Sequence, residues 1–405
     1  MGRVTSDSVW VVGVSMTPFR RYNDRDAHDL GAEAALAALD DAGLGIADID
    51  VLAAGSVNQA RQYPAQQIQK RIGQTGIPAF NVLNACATGA TAVRVVHQAI
   101  LAGEATVGLA VGCEQMGKMG LLGAAAIAGG GSDRFEPSGR YGAVANTEGI
   151  LGTGLMPGVF AQAGMRYADQ HDGVGTEQFV KVAVKNHSHS TLNPLSMYRK
   201  AFTFDEVRDG EMISYPNTLL MCCPTSDGGA AAVLMSGERL NSLPSEVRAR
   251  AVKVSASVMT SDPWVPDGQV QPDVSTLTRD AAKRAYETAG VGPPDLDLVE
   301  LHDCFATAEL IHYDNLGLCE PGGAGEFIDR GAPWRDGSTP VNVSGGLLSK
   351  GHPLGATGIA NVFEVVTHLR REAGDRQIPE AKIGLTHVIG LGSACVVHVL
   401  ERGVA

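Results

Sequence analysis

Short runs of small and branched apolar residues, bounded by glycine, recur near both ends of the chain, with longer amphipathic stretches between them. Residues 10–14, Val51–Gly55 and 107–112 are runs of this kind. Their lack of polar alternation predicts strands buried on both faces. Residues 30–42 and Thr88–Leu101 carry apolar side chains at helical spacing and predict helices. The same alternation returns late, with a helix over 278–289, a strand over 296–301, a helix over 357–372 and a strand over 381–389. The two ends read as two copies of one α/β architecture.

The middle is different. Residues 117–156 are rich in Gly and Ala, and 163–220 mix a helical pattern with polar stretches; a strand pattern resumes only at 229–236. A strand-poor segment of this length predicts a loop domain or lid inserted in the first half, where substrate contacts usually collect. The expected division is residues 1–263 as the first half, with the insertion at about 115–220, and 264–405 as the second.

Composition narrows the function classes. A chain of 405 residues exceeds what one hydrophobic core usually spans, so two core units are expected. With 44% hydrophobic and 19% charged residues it is a folded globular chain. Thirty-two basic against 44 acidic residues leave a net charge of −12, which excludes the positive field that nucleic acid or an anionic membrane surface requires. An anionic substrate would need a local basic patch. No apolar run approaches a membrane span. Seven scattered cysteines and a start without a leader-like pattern point to a reducing cytoplasm. The opening Met1-Gly2-Arg3-Val4-Thr5-Ser6 fits a myristoylation pattern too short to weigh, and the end at Ala405 is not a peroxisomal address.

Three stretches carry chemistry. Asn84-Ala85-Cys86-Ala87-Thr88-Gly89 puts Cys86 where a strand-like run gives way to a helix starting near Ala87. N–H groups at a helix start favour thiolate, so Cys86 is either a nucleophile or a packed thiol. Ser344-Gly345-Gly346 through Gly358 holds His352 on a Gly- and Pro-stiffened loop just before a helix. There an imidazole can polarise a thiol or donate to an oxyanion. The competing phosphate-loop reading lacks the Gly-x-x-x-x-Gly-Lys-Ser/Thr spacing. In the third stretch, a strand ends in His302-Asp303-Cys304 and delivers them to the carboxyl edge of a sheet, where ligands bind in open α/β folds. Zinc is disfavoured, because no Cys-x-x-Cys pair exists and Cys304, His302 and His352 form no recognisable ligand spacing.

Other candidates are weaker. His187-Ser188-His189 would point both rings one way if extended, but as a metal site it lacks an evident third ligand. Cys222-Cys223 precedes a turn and reads as packing rather than redox; Cys113 and Cys395 read as packing, and Cys319 has no strong reading. A basic patch of Arg166, Lys181, Lys185, Arg199 and Lys200 lies in the inserted segment, either as a phosphate-binding surface or as solvated charge.

Taken together, these motifs resemble the thiolase superfamily. The carriers are Asn84 to Gly89, Lys185 to Ser190 with Asn193-Pro194, Cys222 to Gly228, His302-Asp303-Cys304-Phe305 and Ser344 to Gly358. His-Asp-Cys-Phe, where other thiolases have Asn-Glu-Ala-Phe, is similar to the sterol-carrier-protein-2 branch; the C-terminal lipid-carrier domain of animal members has no counterpart here. The resemblance implies a five-layered αβαβα fold of two similar halves with a loop domain inserted in the first. It implies cleavage of 3-oxoacyl-CoA by free CoA as co-substrate, no permanently bound cofactor or metal, and a homodimer or homotetramer. It further implies Cys86 as the acylated nucleophile, His352 as its activator, His302 as holder of an oxyanion-hole water, and Cys304 as the acid/base. Most thiolases carry a second reactive Cys in a C-terminal Cys-x-Gly loop; here that loop reads Thr386-His387-Val388-Ile389-Gly390, with His387 near that position and Gly390 after it. The CoA phosphates would fall to Lys185, Arg199 and Lys200. A thiolase-fold retro-aldol lyase with an OB-fold partner, or an idle acyl-CoA or lipid-binding protein, are the alternatives.

Overall fold

The structure, a computed structural model, describes residues 8–117, 155–262, 274–391 and 394–403. Among them, eleven strands are β1 (Val9–Met16), β2 (Val51–Gly55), β3 (Ala79–Val82), β4 (Val107–Glu114), β5 (Met212–Ser214), β6 (Asn217–Thr218), β7 (Gly228–Ser236), β8 (Val252–Thr260), β9 (Leu298–Glu300), β10 (Ile383–Gly390) and β11 (Ala394–Arg402). The longer helices are α1 (Ala27–Ala42), α2 (Pro64–Ile72), α3 (Thr88–Leu101), α4 (Leu155–Gln170), α5 (Thr176–Ser190), α6 (Val274–Ala289), α7 (Ala306–Asn315) and α8 (Leu354–Leu369).

Nine strands line up as β3-β2-β4-β7-β1-β8-β11-β10-β9, and β5 and β6 pair separately. A short seam divides the nine, because β1 meets β8 only through Trp10 with Lys253 and Val11 with Val252. Outward from it the two sides follow one plan. On one side β1 pairs antiparallel with β7, β7 antiparallel with β4, and β4 parallel with β2. On the other, β8 pairs antiparallel with β11, β11 antiparallel with β10, and β10 parallel with β9. Even the outer position matches: β3 lies parallel to β2, and Val341 bridges Val299 of β9 in parallel. The duplicated α/β plan read from the sequence is borne out. The strand β8, not singled out by its sequence, joins the second set through its ladder to β11. By strand pairing β8 goes with the second set although it precedes position 263 in the chain.

Strand periodicity explains the layers. Along β4, Val107, Leu109, Val111 and Cys113 share a core with Ala34, Ala35 and Ala38 of α1 and Ile68 of α2. Ala110, pointing the other way, joins Val93 and Val96 of α3 and Ile359 and Val362 of α8. Helices α3 and α8 pack on each other and touch strands of both half-sheets, while α6 covers β8 and β11 from outside. Five layers result. The two central helices meet without side chains between their first turns: a Cβ on Gly89 would lie 2.6 Å from Gly355 O, and one on Gly358 would lie 2.3 Å from Ala90 N. Only glycine permits that approach.

The described part of the inserted segment is built of α4, α5, shorter turns and the β5–β6 ribbon. Phe160 of α4 and Phe179 of α5 share a core with Leu310, Tyr313 and Phe327 from the second half, so this part is packed into the molecule. Most of the Gly- and Ala-rich stretch expected at 117–156 lies outside the described residues.

Candidate active site

Cys86 sits on a tight elbow between β3 and α3. Ala85, just before it, adopts φ 46°, an uncommon conformation for a residue with a side chain. The elbow is pinned by Thr88, whose Oγ1 donates to Ala85 O at 2.7 Å and accepts from Asn84 N at 2.9 Å. Gly390, at the end of β10, presses against it: a Cβ there would fall 2.0 Å from Asn84 O. Gly390 thus serves as the surface on which the Cys86 turn rests.

His352 occupies the equivalent place in the second half, immediately before α8. Its Nδ1 lies 2.7 Å from Thr357 Oγ1, whose single proton is donated to Pro353 O at 3.0 Å. Thr357 must then accept, so Nδ1 carries the imidazole proton and Nε2 is left with a lone pair. Nε2 is buried without a hydrogen-bond partner among the described residues. A base of the tautomer needed to take a thiol proton therefore sits before α8, held by a threonine that the sequence did not single out. Its only signal there was a hydroxyl one turn after Pro353.

His302 and Cys304 flank Asp303, which anchors them. The Asp303 carboxylate accepts from Leu347 N at 2.7 Å, Leu348 N at 3.3 Å and Asn186 Nδ2 at 2.8 Å. Leu347 and Leu348 belong to the short helix Gly346–Lys350 that leads into the His352 loop. Gly345 and Gly346 have φ 98° and 59°, and a Cβ on Gly346 would collide with Asp303 Oδ2 at 2.0 Å. Glu300 adds a second tie, accepting from Ser344 N, Ser344 Oγ and Lys350 Nζ. The Ser344-Gly345-Gly346 run is thus shaped to receive the end of β9. From the first half, Glu114 accepts from Val57 N, Asn58 N and Gly355 N, fastening the start of α8 to the β2 loop.

These elements bring Cys86, His302 and His352 together. One ligand atom of each (Cys86 Sγ and a ring nitrogen of either histidine) lies within 4.8 Å of the other two. The two rings meet edge to face, 5.3 Å between centroids. Cys304 is 4% exposed, and its carbonyl accepts from Cys223 N at 2.9 Å, where Cys222 and Phe305 form an antiparallel bridge. Its thiol is raised well above the ordinary value by burial and then by its neighbours Cys223 and Cys86. Cys222-Cys223, read as packing, thus line the flank of Cys304.

Burial sets the protonation states. Cys86 is pushed up to about 12 by desolvation and then by the Glu114 carboxylate. Loss of water thus opposes the thiolate that the helix start favours, and the two effects act on Cys86 in opposite directions. His302 is lowered to about 3 by burial, and His352 falls well below the usual value for the same reason and then because of His302. Burial thus favours the uncharged form of Cys86, His302 and His352 alike.

Other expectations are redistributed. Both nitrogens of His387 are engaged: Nδ1 accepts from His302 N at 3.4 Å and Nε2 lies 3.2 Å from Thr278 Oγ1. His387 stands behind His302. Lys185 is corrected: it is fully buried, paired with Glu309 at 2.8 Å and donating to Val341 O, and cannot reach a solvent-borne phosphate. His187 and His189 lie on helix α5, not on an extended strand. His187 bridges Ser349 Oγ and Leu220 O, while His189 bridges Asn342 O and Arg335 N, so all four nitrogens are occupied and the paired-metal reading falls. Lys181 pairs with Glu177 and Asp329. Arg166, Arg199 and Lys200 are exposed. The last two follow Met197 and Tyr198, whose N–H groups bond to Lys350 O and Ser349 O beside the His352 loop.

Comparisons with known proteins agree with this fold. Residues 9–201 match the thiolase N-terminal domain and 269–402 the thiolase C-terminal domain-like family. Bovine sterol carrier protein 2 is 39% identical over 401 residues, covering 98% of this chain and 72% of that protein. An acetyl-CoA acetyltransferase of Methanothermobacter thermautotrophicus is 34% identical over 97% of this chain and 99% of its own. Among solved structures, the Ltp2-ChsH2(DUF35) aldolase superposes with a TM-score of 0.80 over all of both chains at 22% identity, a likeness of fold. With a duplicated five-layer architecture, Cys86 and His352 before its two central helices, and sequence relatives along almost its whole length, the chain belongs to the thiolase family, with the sterol-carrier-protein-2 type among its relatives.

Proposed function

We propose that the protein cleaves 3-oxoacyl-CoA with free CoA, giving a shortened acyl-CoA and acetyl-CoA or propionyl-CoA through an acyl-Cys86 intermediate. The observation that carries this reading is the meeting of the Cys86 sulfur with ring nitrogens of His302 and His352 within 4.8 Å, with Cys304 alongside. His352 Nε2 takes the Cys86 proton as the sulfur attacks the C3 ketone. The C2–C3 bond then breaks, leaving acyl-Cys86 and a thioester enolate. His302, with the newly charged His352, stabilises the enolate oxygen, and the Cys304 thiol protonates C2. The Cys304 thiolate next takes the proton of CoA, whose sulfur attacks acyl-Cys86, and Cys86 recovers its proton from His352. Both thiols and both rings end as they began. An oxyanion hole is worth about 10²–10³ in rate and a placed acid about 10²–10⁴, so each group should matter severely.

The finer expectations belong to the same proposal. They are degradation of fatty, branched or sterol side chains, a homodimer or homotetramer, a cytoplasmic setting, halves of 1–263 and 264–405, and CoA phosphates bound at Arg199 and Lys200. Those two residues are supported by their exposure and by the backbone bonds that tie their segment to the His352 loop. The decisive experiment is thiolysis of a 3-oxoacyl-CoA panel with intact-protein mass spectrometry. An acyl adduct that maps to Cys86 and is absent in Cys86→Ala supports the reading; full turnover in that variant overturns it. A second reading, a retro-aldol lyase working with an OB-fold partner, draws on the fold likeness to an aldolase. It needs no acyl-cysteine and predicts cleavage of a 3-hydroxyacyl-CoA without free CoA.

A further inference from the structure

The Cys86, His302 and His352 cluster has the donor set of a soft-metal site. We propose that it binds a single Zn²⁺, or a chemically similar borderline-soft divalent cation, and that the bound ion reversibly blocks the nucleophile. Sequence spacing argued against zinc because no Cys-x-x-Cys pair exists and Cys304, His302 and His352 form no recognisable ligand spacing; the set the fold assembles is Cys86, His302 and His352, from three separate segments. The fold removes that objection by bringing one ligand atom from each within 4.8 Å of the others. In a tetrahedral zinc site with bonds of about 2.0–2.3 Å, ligand atoms stand roughly 3.3–3.6 Å apart. The ligand atoms would have to close by at most about 1.2–1.5 Å to reach that spacing.

Unused nitrogens point the same way. His302 Nδ1 and His352 Nε2 are buried and have no hydrogen-bond partner among the described residues, and the residues are 1% and 4% exposed. The Thr357 bond fixes His352 with its proton on Nδ1 and its lone pair on Nε2, the arrangement in which a histidine ligand is oriented by an outer partner. Imidazole coordinates through a ring nitrogen lone pair and keeps its other N–H, so the histidines' part in binding is geometric. Sulfur supplies the only proton exchanged: Cys86–SH + Zn²⁺ gives Cys86–S–Zn⁺ + H⁺. Two imidazoles and a thiolate favour zinc, cobalt or cadmium over magnesium or calcium, which take oxygen ligands. Three protein ligands leave a fourth position open, for water or a substrate thiol.

This claim rests on the geometry of the cluster and not on thiolysis. The test is titration of the full chain with Co²⁺ as a spectroscopic probe, followed by Zn²⁺ displacement. One Co²⁺ per chain, with a near-ultraviolet sulfur-to-cobalt band and intense visible bands of a tetrahedral ion, is the expected result. Cys86→Ser should lose the sulfur band, and His352→Asn should weaken binding at least 10-fold with far-ultraviolet circular dichroism unchanged. Bound Zn²⁺ should slow iodoacetamide labelling of Cys86 at least 10-fold, and EDTA should restore it. A sulfur band that survives in Cys86→Ser, an octahedral spectrum, or labelling indifferent to Zn²⁺ would each overturn the proposal. Acyl-Cys86 formed by a protein that ignores cobalt would remove the metal site and leave the proposed thiolysis intact; cobalt binding without an acyl adduct would do the reverse.

Discussion

Thr357 Oγ1 lies 2.7 Å from His352 Nδ1 and passes its own proton to Pro353 O. One hydroxyl thereby decides which nitrogen of the central imidazole keeps a free lone pair. Thr357→Val keeps the shape and removes the acceptor, leaving a buried N–H unsatisfied and the tautomer unfixed. The expected outcome is a fall in kcat of about 10–100-fold, part of what a placed base contributes, with KM for the acyl substrate little changed. Steady-state kinetics check it, and Thr357→Ser should restore most of the rate.

Asp303 ties the His302 and Cys304 segment to the helix start before His352 by accepting from three donors. In Asp303→Asn, one amide hydrogen set must face a donor whichever way the side chain is turned. A loss of about 1–3 kcal/mol in stability is expected, together with a fall in kcat as the His352 loop loosens. Denaturant unfolding and single-turnover acylation separate the two effects.

Gly390→Ala would place a methyl group 2.0 Å from Asn84 O. The contact is backbone on backbone, so the Cys86 elbow must move. Acylation of Cys86 should slow by about 10-fold or more, while far-ultraviolet circular dichroism stays as in the parent; rapid-quench mass spectrometry measures it.

Acid should destabilise the fold early. His189, His302, His312 and His398 are each lowered to about 3 and His97 to about 4, mainly by burial. Between about 6.5 and those values the unfolded chain binds protons that the folded chain refuses, so stability falls as pH falls through that window and is fully present above it. At one pH unit below 6.5 each such histidine costs on the order of 1 kcal/mol. A thermal-unfolding series from pH 7.5 to 5 should show a steep drop in Tm below pH 6.5; a flat profile would contradict the burial of these rings.

Arg199→Ala with Lys200→Ala should raise KM for CoA several-fold and leave kcat near the parent value, because exposed cations add binding and not chemistry. The effect should shrink in high salt. Initial rates over a CoA series at two ionic strengths decide it.

Much was determined by the sequence alone. Gly-bounded apolar runs and helical spacing located most strands and four of the eight longer helices, with Val51–Gly55 and Thr88–Leu101 matching residue for residue, because period and burial are local properties of the chain. Cys86, His302, Cys304 and His352 stood out by residue type and turn context. Tertiary structure decided what they do together. Sequence could not show that glycines at 89 and 358 let α3 and α8 touch at their first turns, and so bring Cys86 near His352. Nor could it show that Lys185 vanishes into a pair with Glu309, or that burial raises the Cys86 thiol. Distances between remote segments and loss of water are set by packing, and packing is a property of the whole fold.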